Sequence, residues 1–476
     1  MSLSSRGAAL ALVLGALGLA ANACTDFKKG DDGVADAGAP GVDGGSPDAL
    51  ALADAGGDAG IVAPPTDDIC DEPWTKLNKT KPACQDRRVV VLQKDVEGVN
   101  GVSIARTDDG RVAIAFNDTQ GGNGPGAKSD LRLALFSSTE SVTAPPVTSP
   151  FNGGPDTKIG LQRKLVAGPN NVMHMLYTQD GQLRYVRMDP GKTSFSTPEP
   201  VASALGPNSQ IALGVAPDET VHIAYVKDGA GTLHHVVRKP NGQQSTQLTL
   251  DTKFEREIPG NGNLSLYIES DGTPNLAYHQ PHPFGIDSAP RHRAFTGQQW
   301  TDRHTFDNNV PDGVSGFDVQ LALLGQEKRA AYFYWPSGQS ISPTHSQLRV
   351  AKWSVPFEPD QIQYEMLLDK LPTPMVSEQV PRFRFRVAMA QDRAGLLHLA
   401  IVVPNGSANT GVLEYKRQTK VPGGVKWISD IVDDDVLGGV DDAASVDLVV
   451  DAAFRPHIAY RSGRDRNVYY ATRFDR

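Results

Sequence analysis

One short pattern recurs seven times after Cys84: an apolar strand, a tight turn carrying Asp or Gly, and a second strand that ends in a small residue and a large one. Its clearest copies are Asp218-Glu-Thr-Val-His-Ile-Ala-Tyr225, Asp271-Gly-Thr-Pro-Asn-Leu-Ala-Tyr278 and Arg455-Pro-His-Ile-Ala-Tyr460. Weaker copies end at Phe116, Tyr177, Tyr332 and Ile401, so successive copies lie 48 to 69 residues apart. A period of this size marks one supersecondary unit per copy, which cannot bury its apolar faces alone and must stack on its neighbours.

Each copy continues into a third strand, as in Leu131–Phe136, Leu183–Arg187, Leu348–Trp353 and Val468–Ala471, and then into a variable edge strand such as Lys426–Val432. Four strands per copy, repeated seven times, predict an all-β, seven-bladed β-propeller; the phasing of the copies favours it over a two-sheet sandwich. In such a ring Val221, Ile223 and Tyr225 would face one neighbouring blade while His222 and Ala224 face the other. The last copy ends after its third strand, and the segment Arg88–Gln93 has no blade of its own. Supplying the missing outer strand from the N-terminus would close the ring and remove its open edges.

The 47 Gly and 34 Pro fit a turn-rich fold. Residues 1–68 hold ten Asp and no Glu against Arg6, Lys28 and Lys29, a net charge of −7, which leaves −2 for the rest. A balanced domain lacks the basic field that phosphate neutralisation needs, so nucleic acid is not an expected partner. Residues 1–23 have the apolar core of an export signal, ending in Ala21-Asn22-Ala23 before Cys24. The boundary resembles that of a bacterial lipoprotein, in which the cysteine carries the lipid, although Ala21 stands where Leu is usual. Ala21-Asn22-Ala23 equally fits ordinary signal cleavage. The cysteine at the boundary and the long leash after it favour lipidation of Cys24.

Residues 24–68, rich in Asp, Ala, Gly and Pro, cannot bury enough apolar surface to order themselves and read as a disordered tether. Its reach is about 35–40 Å for a flexible coil. Residues 69–87 form a lead-in whose Cys70 and Cys84 are expected to pair in an oxidising compartment, two free thiols being the alternative. The propeller is expected over 88–476.

The repeats resemble those of secreted bacterial seven-bladed propellers of the sialidase-like, BNR-repeat group. The Asp-box of that group is not present, since Ser270-Asp-Gly lacks both its spacing and its Trp. The resemblance implies the fold and leaves sialidase activity without support. Its arginine cluster has a counterpart in the alternation Arg382-Phe-Arg-Phe-Arg386 on an expected innermost strand. Arg163, Arg384, Arg386 and Asp447 are therefore candidate ligand residues at the channel mouth, with a structural ion pair between Arg384 or Arg386 and Asp447 as the competing role. Lys164 sits on a comparable inner strand.

His174, His222, His398 and His457 share one place in four repeats, which Asn275 and Arg329 fill elsewhere; a hydrogen-bonding structural role is expected of it. The segment from His279 through His282, Asp287 and His292 holds zinc-ligand types without a metal-site spacing and reads as a solvated loop, and neither a metal nor a cofactor is expected. Asp433, Asp434, Asp435, Asp441 and Asp442 read as an exposed acidic connection. The chain is thus expected to be a monomeric binding module for an extracellular glycan or envelope protein, held at the outer membrane or cell surface. A periplasmic or secreted location is the alternative, as are a polysaccharide-acting enzyme and a structural envelope component.

Overall fold

A computed structural model describes residues 73–76, 87–96, 101–120, 128–137, 147–148, 159–206, 209–227, 231–252, 264–280, 289–297, 299–302, 304–305, 314–324, 327–335, 345–354, 361–372, 386–405, 407–437 and 444–473. The expected signal, the tether, Cys24, Cys70 and Cys84 lie outside the described residues. So do Arg382, Arg384, His282, Asp287, Asp441 and Asp442.

The described strands form seven four-stranded antiparallel sheets. Each repeated aromatic-ending segment is the second strand of a blade, from Arg111–Gln120 in blade one through Val221–Lys227 in blade three to Pro456–Arg461 in blade seven. Contacts between the inner strands of successive blades run round the ring and close from blade seven to blade one. The expected closure is present: Arg87–Gln93 pairs with Val468–Arg473, Val89 facing Ala471 and Val91 facing Tyr469.

The core is divided into seven apolar layers, each shared by two adjacent blades. Val221, Ile223 and Tyr225 pack with Leu176 and Tyr185 of blade two, while Ala224 and Val226 pack with Leu276 and Tyr278 of blade four. The alternation of one strand therefore serves two interfaces, which is why the strands read as nearly continuous apolar runs. The layer between blades seven and one contains Leu92 and Val96 beside Ile114, Phe116, Val468 and Tyr470, so the closing segment takes part in the same burial.

Two further anchors hold that segment. The fully buried Arg87 guanidinium donates through Nε and Nη2 to Asp430 Oδ2 on blade six, both at 3.2 Å. Arg461 donates to the Val96 carbonyl at 3.0 and 3.1 Å. Trp74, in the lead-in, is buried against Tyr415 with ring centroids 5.9 Å apart. Removing one partner of a buried pair such as Arg87–Asp430 costs about 3–5 kcal/mol, because the other charge is left desolvated and unanswered.

The turn from first to second strand repeats closely. In six blades the N–H of its first residue donates to the carbonyl four residues on, as from Ala216 to Thr220 at 2.8 Å and from Asp392 to Leu396 at 3.0 Å. The fourth residue of each such turn has positive φ: Gly110, Asn171, Glu219, Gly272, Gly395 and Phe454. Glycine is suited to that geometry, whereas Glu219, at φ 65°, bears the steric cost of a Cβ.

The repeated histidine slot is a hydrogen-bonding position, as expected. In blades six and seven the imidazole Nε2–H donates to the first residue of the turn, His398 to Asp392 at 3.0 Å and His457 to Asp451 at 3.3 Å. Their Nδ1 atoms accept from the hydroxyls of Tyr415 and Tyr470 at 2.5 and 2.6 Å. His174 bonds Tyr185 in the same way, at 2.6 Å. In blade four Asn275 takes the slot and bonds His292 at 3.0 Å and Glu269 at 2.7 Å. Arg329 holds it in blade five, with Glu327 and Gln418 as partners.

Burial pushes His174 and His222 down to about 4, and His235 and His292 down to about 3. In His398 and His457 burial also outweighs the neighbouring Asp and lowers the pKa.

Two outcomes follow. Glu219→Gly should raise stability by about 0.5–1 kcal/mol in urea unfolding, by removing a left-handed non-glycine residue; an equal loss would show that the Asn170–Glu219 hydrogen bond matters more. The buried imidazoles stay neutral where unfolded histidine, with a pKa near 6.5, binds a proton. Stability should be full above about pH 6.5, fall as the pH drops, and cease to fall on account of His174 and His222 near pH 4 and of His235 and His292 near pH 3. A melting temperature flat from pH 7.5 to 4.5 would contradict this.

Candidate ligand site in the central channel

The first strands of the seven blades surround a channel with a cavity volume of about 620 Å³. Their register repeats: one residue of each inner strand stands opposite the small residue that precedes the aromatic of the second strand. Ser103 faces Ala115, Ser265 faces Ala277 and Asp447 faces Ala459, while Lys164 holds the equivalent place opposite Leu176.

An inner strand is also the edge of its sheet, so alternate N–H groups along it have no ladder partner. The side chains at this level supply one. Ser103 Oγ accepts from Leu165 N at 3.0 Å and Ser265 Oγ accepts from Leu321 N at 3.0 Å, in each case from the next blade. Asp447 does the same across the closing interface, accepting from Ile104 N at 3.1 Å and Ser103 Oγ at 3.0 Å. Its carboxylate also accepts from Leu448 N at 3.1 Å and from Lys164 Nζ at 3.1 Å.

Asp447 therefore joins blades seven, one and two. Lys164, at the same level of the ring two blades on, forms an ion pair with Asp447, while Arg384 lies outside the described residues. With four donors on two oxygens, the carboxylate is committed to the frame rather than free for a ligand. Ser103 and Ser265 were not singled out in the sequence, although their place before the strand that carries each small–aromatic pair could have found them.

Arg163, Lys164 and Asp447 all line the channel. Arg163 is 9% exposed and faces Tyr177 across the blade, with Gly101 against its guanidinium: a Cβ there would lie 3.6 Å from Nη2. Burial brings its pKa down to about 9. Gln162 and Gln210 also line this region, and the Gln162 N–H donates to Thr178 Oγ1 at 3.1 Å. Arg386 is buried at the start of its strand, Arg386–Gln391, and pairs with Val402; the channel lining of blade six begins at the next residue, Val387. Arg386 thus heads its inner strand, whereas Arg163 is the fifth residue of Ile159–Ala167, three blades further round the ring.

The described lining of the channel offers the guanidinium groups of Arg106 and Arg163, the paired Lys164 ammonium and the amides of Gln162, Gln210, Gln320 and Gln391, and Asp447 is the carboxylate among the described lining residues. Among the described residues no group of three or more His, Cys, Asp and Glu is placed to hold a metal ion. His279 and His292 lie buried on adjacent strands, Pro274–Gln280 and Ala289–Ala294, rather than in an open loop.

No protein-family model matches the chain, and no curated protein matches it. Among solved structures it is similar to an α-L-arabinanase of Penicillium chrysogenum complexed with arabinobiose, at 12% identity and a TM-score of 0.44, over 66% of this chain and 92% of that one. It is similar to a PL25 ulvan lyase bound to a GlcA–Rha3S unit, at 12% identity and a TM-score of 0.46, over 81% and 96%. A lectin of Aleuria aurantia, in complex with Fucα1-6GlcNAc, gives 11% identity and a TM-score of 0.40, over 73% and 100%. Likeness at this level carries no statement about the chemistry of this chain's channel.

Proposed function

We propose that the chain is an exported propeller, anchored by a lipid on Cys24, that binds an extracellular glycan at the mouth of its channel. The observation that supports this reading is the polarity of the mouth: Arg163 and the amides of Gln162 and Gln210 line a channel whose carboxylate, Asp447, is already satisfied by Ser103, Ile104, Leu448 and Lys164. Amides and a guanidinium together match the donors and acceptors of sugar hydroxyls and carboxylates. Glycosidic cleavage needs two carboxyl groups poised as acid and base or nucleophile, and the committed state of Asp447 favours binding over turnover. A protein ligand is the second reading, because connecting loops on a rigid scaffold commonly carry binding residues.

The test is a glycan panel on the purified mature chain, with product analysis on every glycan retained. Retention without cleavage is expected. Arg163→Gln should weaken it at least about tenfold, or 1.4 kcal/mol, while melting within a few degrees of the parent. Release of oligosaccharide products would establish the enzyme instead, and unchanged binding by Arg163→Gln would move the site away from the channel.

A further inference from the structure

A second cavity, of about 770 Å³, lies between blades three and four, away from the channel-lining residues. Its walls include Pro217, Asp218, His222, Leu248, Asp271 and Phe295. This size falls within the range of small-ligand pockets, about 300–1,000 Å³. His222 is only 5% exposed, and its sole hydrogen bond among the described residues is at Nδ1.

The direction of that bond can be derived. Trp300 Nε1–H is a donor only, and it lies 3.2 Å from His235 Nδ1. Neutral His235 therefore carries its proton on Nε2, and donates it to His222 Nδ1 at 3.2 Å. Neutral His222 must then carry its own proton on Nε2. A relay from Trp300 through His235 ends in an N–H with no acceptor among the described residues.

Two other blades show what can fill that position, while in blade two Gly168 opens the turn and leaves His174 Nε2 without a partner among the described residues. In blades six and seven the equivalent imidazole Nε2–H donates to Asp392 or Asp451, the first residue of the repeated turn. In blade three that residue is Ala216, which opens the same turn with its N–H on the Thr220 carbonyl and lines the cavity. The carboxylate that completes the triad elsewhere is missing, and a cavity stands in its place.

We propose that this groove binds a neutral saccharide, one hydroxyl of which accepts from His222 Nε2 where a turn aspartate sits in blades six and seven. The remaining walls select the class. Asp218 and Asp271 are exposed on the rim, and hydrogen bonds from Thr220 and Thr273 hold both carboxyls below their usual range, so the rim is negative at neutral pH and repels anions. A cation would gain from the carboxylates but has no acceptor for His222. Hydroxyls both donate and accept, and so serve the imidazole and the rim together. Phe295, half-buried with its ring 6.4 Å from that of His222, and Leu248, 39% exposed, provide apolar surface for the C–H face of a sugar.

The decisive variant is Ala216→Asp, which places the native carboxylate of blades six and seven beside His222. Calorimetry and saturation-transfer NMR on the mature chain, with neutral oligosaccharides as probes, should detect binding that Ala216→Asp reduces at least tenfold while the melting temperature holds or rises. Phe295→Ala should weaken the same binding. The imidazole ¹⁵N signal of His222 should shift with ligand in the parent and not in Ala216→Asp. Failure of every neutral oligosaccharide to bind, or binding that Ala216→Asp leaves intact, would overturn the proposal; the latter result would assign the ligand to the channel, and an acidic glycan bound there would leave the channel reading standing alone.

Discussion

Burial of each sheet on both faces is the constraint from which the rest of this structure follows. A four-stranded sheet with apolar residues on both sides cannot stand alone in water, and here each layer of the core is made by two neighbouring blades. The arrangement is stable only as a ring, because any gap exposes two apolar faces and two strand edges at once. The segment from Arg87 to Val96 fills the gap. It contributes a strand to the last blade, Leu92 and Val96 to the layer behind it, and Arg87 to a buried pair with Asp430.

The polar groups follow the same logic. Inner strands present unpaired N–H groups to the next blade, and Ser103, Ser265 and Asp447 answer them. In blades six and seven, imidazoles link the turn after the first strand to a tyrosine on the third. Such groups cost little when satisfied and much when orphaned, so a position where one partner is absent stands out. His222 and His174 are two such positions among the described residues: Gly168 lies against the buried His174 Nε2, whereas His222 has a cavity beside it.

Much of the fold was legible because burial on two faces leaves a periodic trace. The small–aromatic ending of each second strand marks the register, so Ala224-Tyr225 and Ala459-Tyr460 locate both their own strands and the inner strands opposite them. The unpaired strand at the N-terminus was legible as the missing fourth strand. Pairing partners were harder to read. That Asp447 meets Lys164 was not readable, because the rotation from blade to blade, which no spacing along the chain encodes, brings blades seven, one and two together at that level. Trp74 sits in a polar stretch and carries no periodic signal, yet it is buried on Tyr415. The groove was invisible for a different reason: its cause is an alanine, Ala216, in a place where only comparison of turn hydrogen bonds between blades shows an aspartate to be missing.

Closure by the N-terminal strand can be read directly from amide hydrogen exchange of the mature chain, followed by mass spectrometry. If the ring depends on that strand, its amides that point to Val468–Arg473, alternate ones over Val89–Val91, should exchange as slowly as those of Ile458 and Ala459, with both groups opening together at the free energy of global unfolding. Rapid exchange of those inward-pointing amides while Ile458 and Ala459 stay protected would contradict this, since the last blade would then hold without its outer strand.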